Sequence, residues 1–254
     1  MHQHAQDEAA SAAVSQATFS PVVELRQYTL HPGRRDALID VFDNHLVETQ
    51  EETGMKVIGQ FRDLDRDDSF VWLRGFDDME SRRASLSAFY GGPVWAEYKD
   101  AANATMISSD DVLQLAPAWP DSAFDLAGAK RGRRDPADAI VTARIFHVEH
   151  AGEADFVELF RNEVAPLLAD LGAPLLAAFV TEHAENSFPR LPVRTDENVF
   201  VAFFRFVNAA AHARHETALA NSAVWQGDLL PHLERHYSRP SGTLRLARTE
   251  RSLL

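Results

Sequence analysis

The sequence predicts an α+β fold built from two tandem ferredoxin-like lobes, each running β-α-β-β-α-β. Two observations carry this expectation. The first is an internal repeat: residues 22–61 align with residues 140–179 at a constant offset of 118, pairing Val23 with Val141, Arg26 with Arg144, Phe42 with Phe160 and Gly54 with Gly172. After an insertion of 12 residues the offset becomes 130, and Phe76 meets Phe206, Val94 meets Val224 and Trp95 meets Trp225. A repeat this long is a duplicated domain, since solenoid units run about 20–50 residues. The second is the order of periodicities within one copy.

Val22 to Leu30 is rich in β-formers and is broken by His31-Pro32-Gly33. A helical stripe follows at Leu38, Val41, Phe42, His45 and Thr49, with Gly54 as its stop. Met55 to Arg62 reads as a second strand. The polar turn DLDRDD leads into a third at Phe70 to Phe76. Met79 to Tyr90 and Val94 to Asn103 form a helix broken at Gly91-Gly92-Pro93, and Asp111 to Ala116 is the last short strand. The second copy repeats the order. Ile140 to Val148 is a strand and Glu153 to Leu171 a helix. Leu175 to Glu182 and Val199 to Phe206 are paired strands, Ala209 to Ala220 and Val224 to His236 a broken helix, and Thr243 to Ala247 closes it. The extra residues (HAENSFPRLPVRTDEN) lie between its middle strands, where a longer hairpin loop costs little entropy.

The β-α-β-β-α-β order is the split βαβ arrangement, one antiparallel sheet with both helices on one face. The other face needs a cover, and a duplicated chain offers sheet against sheet. The organisation expected is an N-terminal disordered arm at 1–20, a first lobe at 21–116, a linker at 117–138 and a second lobe at 139–254. Trp119 and Phe124 of the linker are candidates to dock on a lobe. The basic run Lys130-Arg131-Gly132-Arg133-Arg134 reads as solvated linker.

Composition narrows the function classes. The chain of 254 residues has no cysteine, which excludes disulfides, thiolate catalysis, zinc–thiolate sites and iron–sulfur clusters. Its net charge of −13 repels a phosphate backbone, so no nucleic acid is expected. The longest apolar run, Ala173 to Val180, is too short to span a bilayer, so no membrane partner is expected. Nothing at the start reads as a secretory or transit segment, and a cytoplasmic location is the expectation.

The segment Val23-Glu24-Leu25-Arg26-Gln27-Tyr28-Thr29-Leu30-His31-Pro32-Gly33 resembles the opening strand and turn of the NIPSNAP family. Pro93-Val94-Trp95-Ala96-Glu97-Tyr98 is similar to that family's Pro-x-Trp-x-x-aromatic helix start, and His45 falls where the family often has a histidine. The second copy matches more loosely, through Arg144, Phe146, 162–167 (NEVAPL) and Val224-Trp225. Its turn, Glu149-His150-Ala151-Gly152, departs from the Pro-Gly form. The resemblance implies the dimeric α+β barrel, here closed within one polypeptide. That superfamily includes cofactor-free monooxygenases, haem-degrading enzymes, lactone isomerases and peroxidases. NIPSNAP members share no established reaction, so the resemblance implies architecture and leaves chemistry open.

Four ionisable residues are the candidate catalytic groups. Arg26 and Arg144 occupy one position in both copies, and alternation puts Arg26 on a face with Glu24, Tyr28 and Leu30. Such a guanidinium either anchors a substrate anion or forms a structural ion pair. His45 and Glu163 are equivalent and fall on the apolar stripe of the first helix, where an ionisable group is either a general base or a hydrogen-bonded core group. Tyr28, Trp72, Trp95, Tyr98, Phe146, His147, Phe203 and Trp225 are the candidate substrate-binding residues, aromatic surface that also serves as ordinary core.

The second copy is rich in histidine. His212 with His215, and His232 with His236, have helical ligand spacing and could hold a divalent metal with Glu216 or Glu163. No motif such as His-Glu-x-x-His supports them, so no metal and no cofactor are expected. No nucleophile elbow or phosphate-binding glycine loop occurs. The partner expected is a small organic molecule, with a homodimer of the fused pair as the assembly to consider. The reaction expected is proton transfer, or cofactor-free oxygenation or isomerisation of an aromatic or enolic substrate, with a slight preference for the second lobe. A non-catalytic ligand-binding or scaffold protein is the alternative, and a metal-dependent enzyme using the second-lobe histidines the other.

Overall fold

Alternation along the first strand decides the layers. In β1 (Val22–Leu30), Val23 and Leu25 point one way, while Val22, Tyr28 and Leu30 join the helices on the other side. Both faces are buried, because this strand sits between two cores. The structure is a computed structural model describing residues 20–132 and 138–254. Of the arm expected at 1–20 only Ser20 is described, and it is buried.

The first lobe continues with α1 (35–51), β2 (Lys56–Asp63), β3 (Ser69–Phe76), α2 (Met79–Gly91), α3 (Pro93–Asn103) and β4 (Met106–Pro117). The second has β5 (Ile140–Val148), α4 (153–170), β6 (Leu175–Thr181), β7 (Val199–Phe206), α5 (Ala209–Ala220), α6 (225–234) and β8 (Tyr237–Arg248). Both last strands are longer than expected, 12 residues each. Helix starts follow local chemistry: Asp78 and Ser81 form a reciprocal capping box at α2, and Pro93 opens α3.

The eight strands close into one barrel in the order β1-β3-β2-β8-β5-β7-β6-β4. Each lobe contributes four strands, and the lobes join edge to edge. Phe61, Arg62 and Asp63 pair with Arg248, Ala247 and Leu246, while Leu115, Ala116 and Pro117 pair with Thr181, Val180 and Phe179. The expected sheet-against-sheet cover is therefore achieved by closure. Edge pairing satisfies backbone groups that an open sheet leaves bare, and the inner faces then meet across the lumen.

Three cores result. Val23, Leu25, Phe61, Val71, Phe179 and Phe203 fill the barrel. Phe124 of the linker also enters it, 5.1 Å from Phe179 and 4.9 Å from Phe203, ring to ring. The other two cores lie between helices and sheet, one per lobe. Trp119 stacks on Phe200 of the second lobe. Arg131 of the basic run is half-buried, bonded to Glu51 and to the carbonyls of Val57 and Arg251, so at this residue the run is anchored and not solvated. Arg133 and Arg134 lie outside the described residues.

Both long helices contain a π turn at the same place, Phe42–Leu46 in α1 and Phe160–Val164 in α4, and α6 opens with another at Trp225–Leu229. The buried residues explain them. They recur every fourth position: Leu38, Phe42, Leu46 and Gln50; Phe156, Phe160, Val164 and Leu168; Trp225, Leu229 and Leu233. On a regular α-helix such a stripe rotates by about 40° per step and would leave the sheet within three steps. One underwound turn, with its i→i+5 bonds, resets the phase.

Candidate functional site

Four charged side chains are packed out of water under the first lobe's helices. Glu24 lies on β1 directly opposite Arg74 of β3. Its Oε2 accepts from Arg26 Nη1 at 2.7 Å and Arg74 Nε at 2.8 Å, and its Oε1 accepts from Arg82 Nε at 2.7 Å. All four side chains are at most 1% exposed. Burial alone would raise the Glu24 pKa, but the guanidiniums of Arg74, Arg26 and Arg82 outweigh it and hold the carboxyl well below the usual carboxylate range. Burial pulls Arg82 the other way, below an ordinary arginine. Among the described residues Glu24 is the only carboxylate in ion-pair contact with these arginines, so the cluster carries two positive charges in excess.

Above the cluster lies a narrow cavity of about 30 Å³, lined by Tyr28, Gln50 and Trp72 together with Phe42, Tyr90 and Trp95. Three of its lining residues, Tyr28, Gln50 and Trp72, each touch an arginine. Arg26 Nε donates to Tyr28 Oη at 3.1 Å, and Arg74 Nη1 reaches Gln50 Oε1 at 3.5 Å. The guanidiniums of Arg26 and Arg74 lie 5.5 and 5.1 Å from the Trp72 ring. The Trp72 indole N–H is buried with no hydrogen-bond partner, as is Arg82 Nη2. Burial pushes the Tyr28 phenol up, although Arg26 opposes it. Tyr28 therefore stays protonated at neutral pH and can donate into the cavity while accepting from Arg26.

The cover comes from the other lobe. The insertion after β6 crosses to the first lobe, where Arg82 Nη1 donates to Asn186 Oδ1 at 2.9 Å and Ser187 Oγ at 3.1 Å. Phe188 of the same loop is buried in the first lobe's helix–sheet core and stacks on Tyr90 at 6.0 Å. Phe188→Ala is expected to cost about 3 kcal/mol, as large-to-small core changes do, and to open the cavity. Iodide quenching of tryptophan emission should rise as Trp72 and Trp95 become accessible. Unchanged quenching would show that Phe188 is not the cover.

The sequence candidates separate on this geometry. Tyr28, Trp72 and Trp95 line the cavity, and Arg26 lies behind it. His45 is half-buried between Phe42 and Leu46 on α1 and stacks on Tyr98 of α3, 3.9 Å between centroids and 11° between planes. This pair closes the seam beside the cavity and does not line it. Glu163 is exposed, not buried on its helix. The π turn rotates α4 so that Val164 takes the place on the stripe.

Arg144 is half-buried, 5.8 Å over Trp225, beside Tyr237 whose phenol burial pushes up to about 12. Phe146 and Trp225 belong to the second lobe's apolar core. His147 sits 3.1 Å from Glu197, with burial lowering its pKa. Phe203 faces the barrel lumen, because alternation along β7 turns Phe200, Ala202 and Phe204 toward the helices instead.

His212 and His215 both pack on Phe206, and His215 Nδ1 is 3.0 Å from the Leu171 carbonyl. His232 is exposed beside Asp228, and His236 packs on Phe156. Among the described residues none of these four joins a group of three potential ligand atoms.

The polar cluster and this cavity thus lie in the first lobe. At the equivalent second-lobe positions Glu24, Tyr28, Gln50, Trp72, Arg74 and Arg82 give way to Thr142, Phe146, Leu168, Ala202, Phe204 and His212. Sequence reasoning missed Gln50, Arg74 and Arg82. Reading the two copies against each other on the sheet-facing positions would have found them.

Two ferredoxin-like halves closing an eight-stranded barrel define a dimeric α+β barrel protein contained in one chain. Within that class, residues 23–119 match the NIPSNAP family model, and the first lobe is a NIPSNAP domain. Solved structures of the same fold include a presumed monooxygenase from Fusobacterium nucleatum subsp. nucleatum ATCC 25586, 9% identical, with 91% of this chain and 93% of that one covered and a TM-score of 0.60. Another from Lactobacillus acidophilus NCFM is 13% identical over 90% of this chain and 94% of that one, TM-score 0.54. An anthrone oxidase-like protein is 11% identical over 90% and 91%, TM-score 0.58. Such identities speak to fold. No curated protein sequence is similar enough to count as a relative. Among the described residues no helix is long and apolar enough to cross a membrane.

Proposed function

We propose that the first lobe binds a small aromatic or enolic molecule as its oxyanion and promotes proton transfer, isomerisation or oxygenation of it. One observation carries this reading: two excess buried positive charges stand directly behind Tyr28, Gln50 and Trp72, which line a largely apolar and aromatic cavity. A site of this kind favours a developing enolate or phenolate over its neutral parent, because its donors are fixed before the charge appears. Tyr28 donates its O–H to the oxyanion, Arg26 polarises Tyr28 from behind, and the unpartnered Trp72 N–H supplies a second donor. His45 at the α1–α3 seam is the candidate proton acceptor for a ligand entering there. In the oxygenation branch dioxygen is the oxidant that takes electrons from the carbanion. The monooxygenase-like and anthrone oxidase-like neighbours fit this class.

As closed, the cavity has room for about one or two waters. A ring must therefore part Tyr90, Trp95 and Phe188, so binding and opening of the cover are one event. The narrowness also suits a non-catalytic module whose lobe is simply packed, and one experiment separates the two. Anthrone, hydroxynaphthalenes and cyclic 1,3-diketones are screened for thermal shift and for dioxygen uptake. The proposal expects at least one to raise the melting temperature and to be consumed. No shift from any compound at millimolar concentration would sink it, and binding without consumption would favour the non-catalytic module.

A further inference from the structure

We propose that the second lobe binds a divalent transition-metal ion through His150, Glu153 and His183, on residues independent of the first-lobe cavity. One ligand atom from each lies within 4.8 Å of the others. His150 belongs to the single 3-10 turn that precedes α4, and Glu153 is the first residue of that helix. Three residues apart across such a turn, the two side chains share a face. His183 arrives from the other side, at the start of the loop that follows β6. The imidazoles of His150 and His183 stand 5.1 Å apart and nearly perpendicular, and His183 Nε2 is 3.8 Å from Glu153 Oε2.

The carboxylate supplies the second observation. Glu153 Oε2 is buried and has no hydrogen-bond partner. A buried carboxylate oxygen without a donor is costly, and a cation between it and the two imidazoles removes that cost. The first lobe treats the same position differently. Its counterpart, Arg35, sends Nη1 to the carbonyls of Asp63, Arg66 and Ser69. The first lobe thus brings its own cation to this corner, whereas the second presents a carboxylate and two imidazoles.

Two imidazoles and one carboxylate suit zinc, cobalt or ferrous iron and leave positions open for water or a ligand oxygen. His150 and His183 are exposed, so the ion can enter from solvent.

The test is calorimetric titration of the tag-free full chain with Zn²⁺, and with Co²⁺ followed by visible absorption. One ion per chain is expected, with at least about tenfold weaker binding in each of His150→Ala, Glu153→Gln and His183→Ala. His232→Ala, at an exposed histidine outside the set, should bind as the parent does. Melting temperatures without metal confirm that the variants fold, and His183, exposed on a loop, is the substitution least able to disturb the fold. Binding that survives the His150→Ala/His183→Ala double variant, or well under one ion per chain, overturns the assignment.

Discussion

Glu24→Gln is expected to destabilise the protein by about 3–5 kcal/mol, lowering the melting temperature by roughly 10 °C. The substitution keeps the shape and removes the charge. Three guanidiniums that are at most 1% exposed then face each other with no counter-ion. The measured cost is that of stranding buried charge, not the worth of a single pair. A double variant tests this directly: Arg74→Met added to Glu24→Gln removes one of the stranded cations and should recover part of the loss. Additive losses would refute the cluster as a coupled unit.

The pH dependence follows from the same contacts. The folded-state pKa of Glu24 is depressed below its unfolded value, despite burial, by Arg74, Arg26 and Arg82. Its contribution is therefore fully present above about pH 4.3, the ordinary glutamate value, and is lost as the pH falls toward the depressed one. Acid unfolding of the parent should steepen below pH 4, and Glu24→Gln should lack that component.

Tyr28→Phe should separate chemistry from stability. The phenol oxygen accepts from Arg26 Nε, so its loss leaves one buried N–H unpaired, about 1–3 kcal/mol. If Tyr28 is the donor to a developing oxyanion, turnover of a substrate found by the screen should fall by about 10²–10³. Binding of the neutral parent compound should change far less. Burial keeps the phenol protonated, so parent activity should persist to at least about pH 10, the ordinary tyrosine value. Turnover that drops only in proportion to folded protein would assign Tyr28 a structural role.

Much of the architecture was readable because duplication writes it twice. The split βαβ order, the opening strands that begin at Val22 and Ile140, and the shared face of Glu24, Arg26 and Tyr28 rest on local periodicity and repeat alignment. Glu163 is exposed and not buried as expected, for an identifiable reason. A 3.6-residue stripe through α4 includes Glu163, while the buried residues Phe156, Phe160, Val164 and Leu168 recur every four. That spacing stands in the sequence, and it is the signature of an underwound turn.

Other features were beyond any local rule. Asn186, Ser187 and Phe188 belong by sequence to the second lobe, yet they roof the first. The loop's destination is set only when β4 pairs with β6 and closes the barrel. Likewise, three arginines on two strands and a helix become one site only when packing removes the water between them. Periodicity is a short-range property of the backbone, and the sequence alone determined what it governs: two lobes, their strands and helices, and the face each β1 side chain takes. Which lobe carries the charged cavity, and what covers it, depended on contacts between residues some 50–100 positions apart, as in Glu24 with Arg82 and Arg82 with Asn186. Those contacts form only when burial in the closed barrel makes pairing of the charges obligatory.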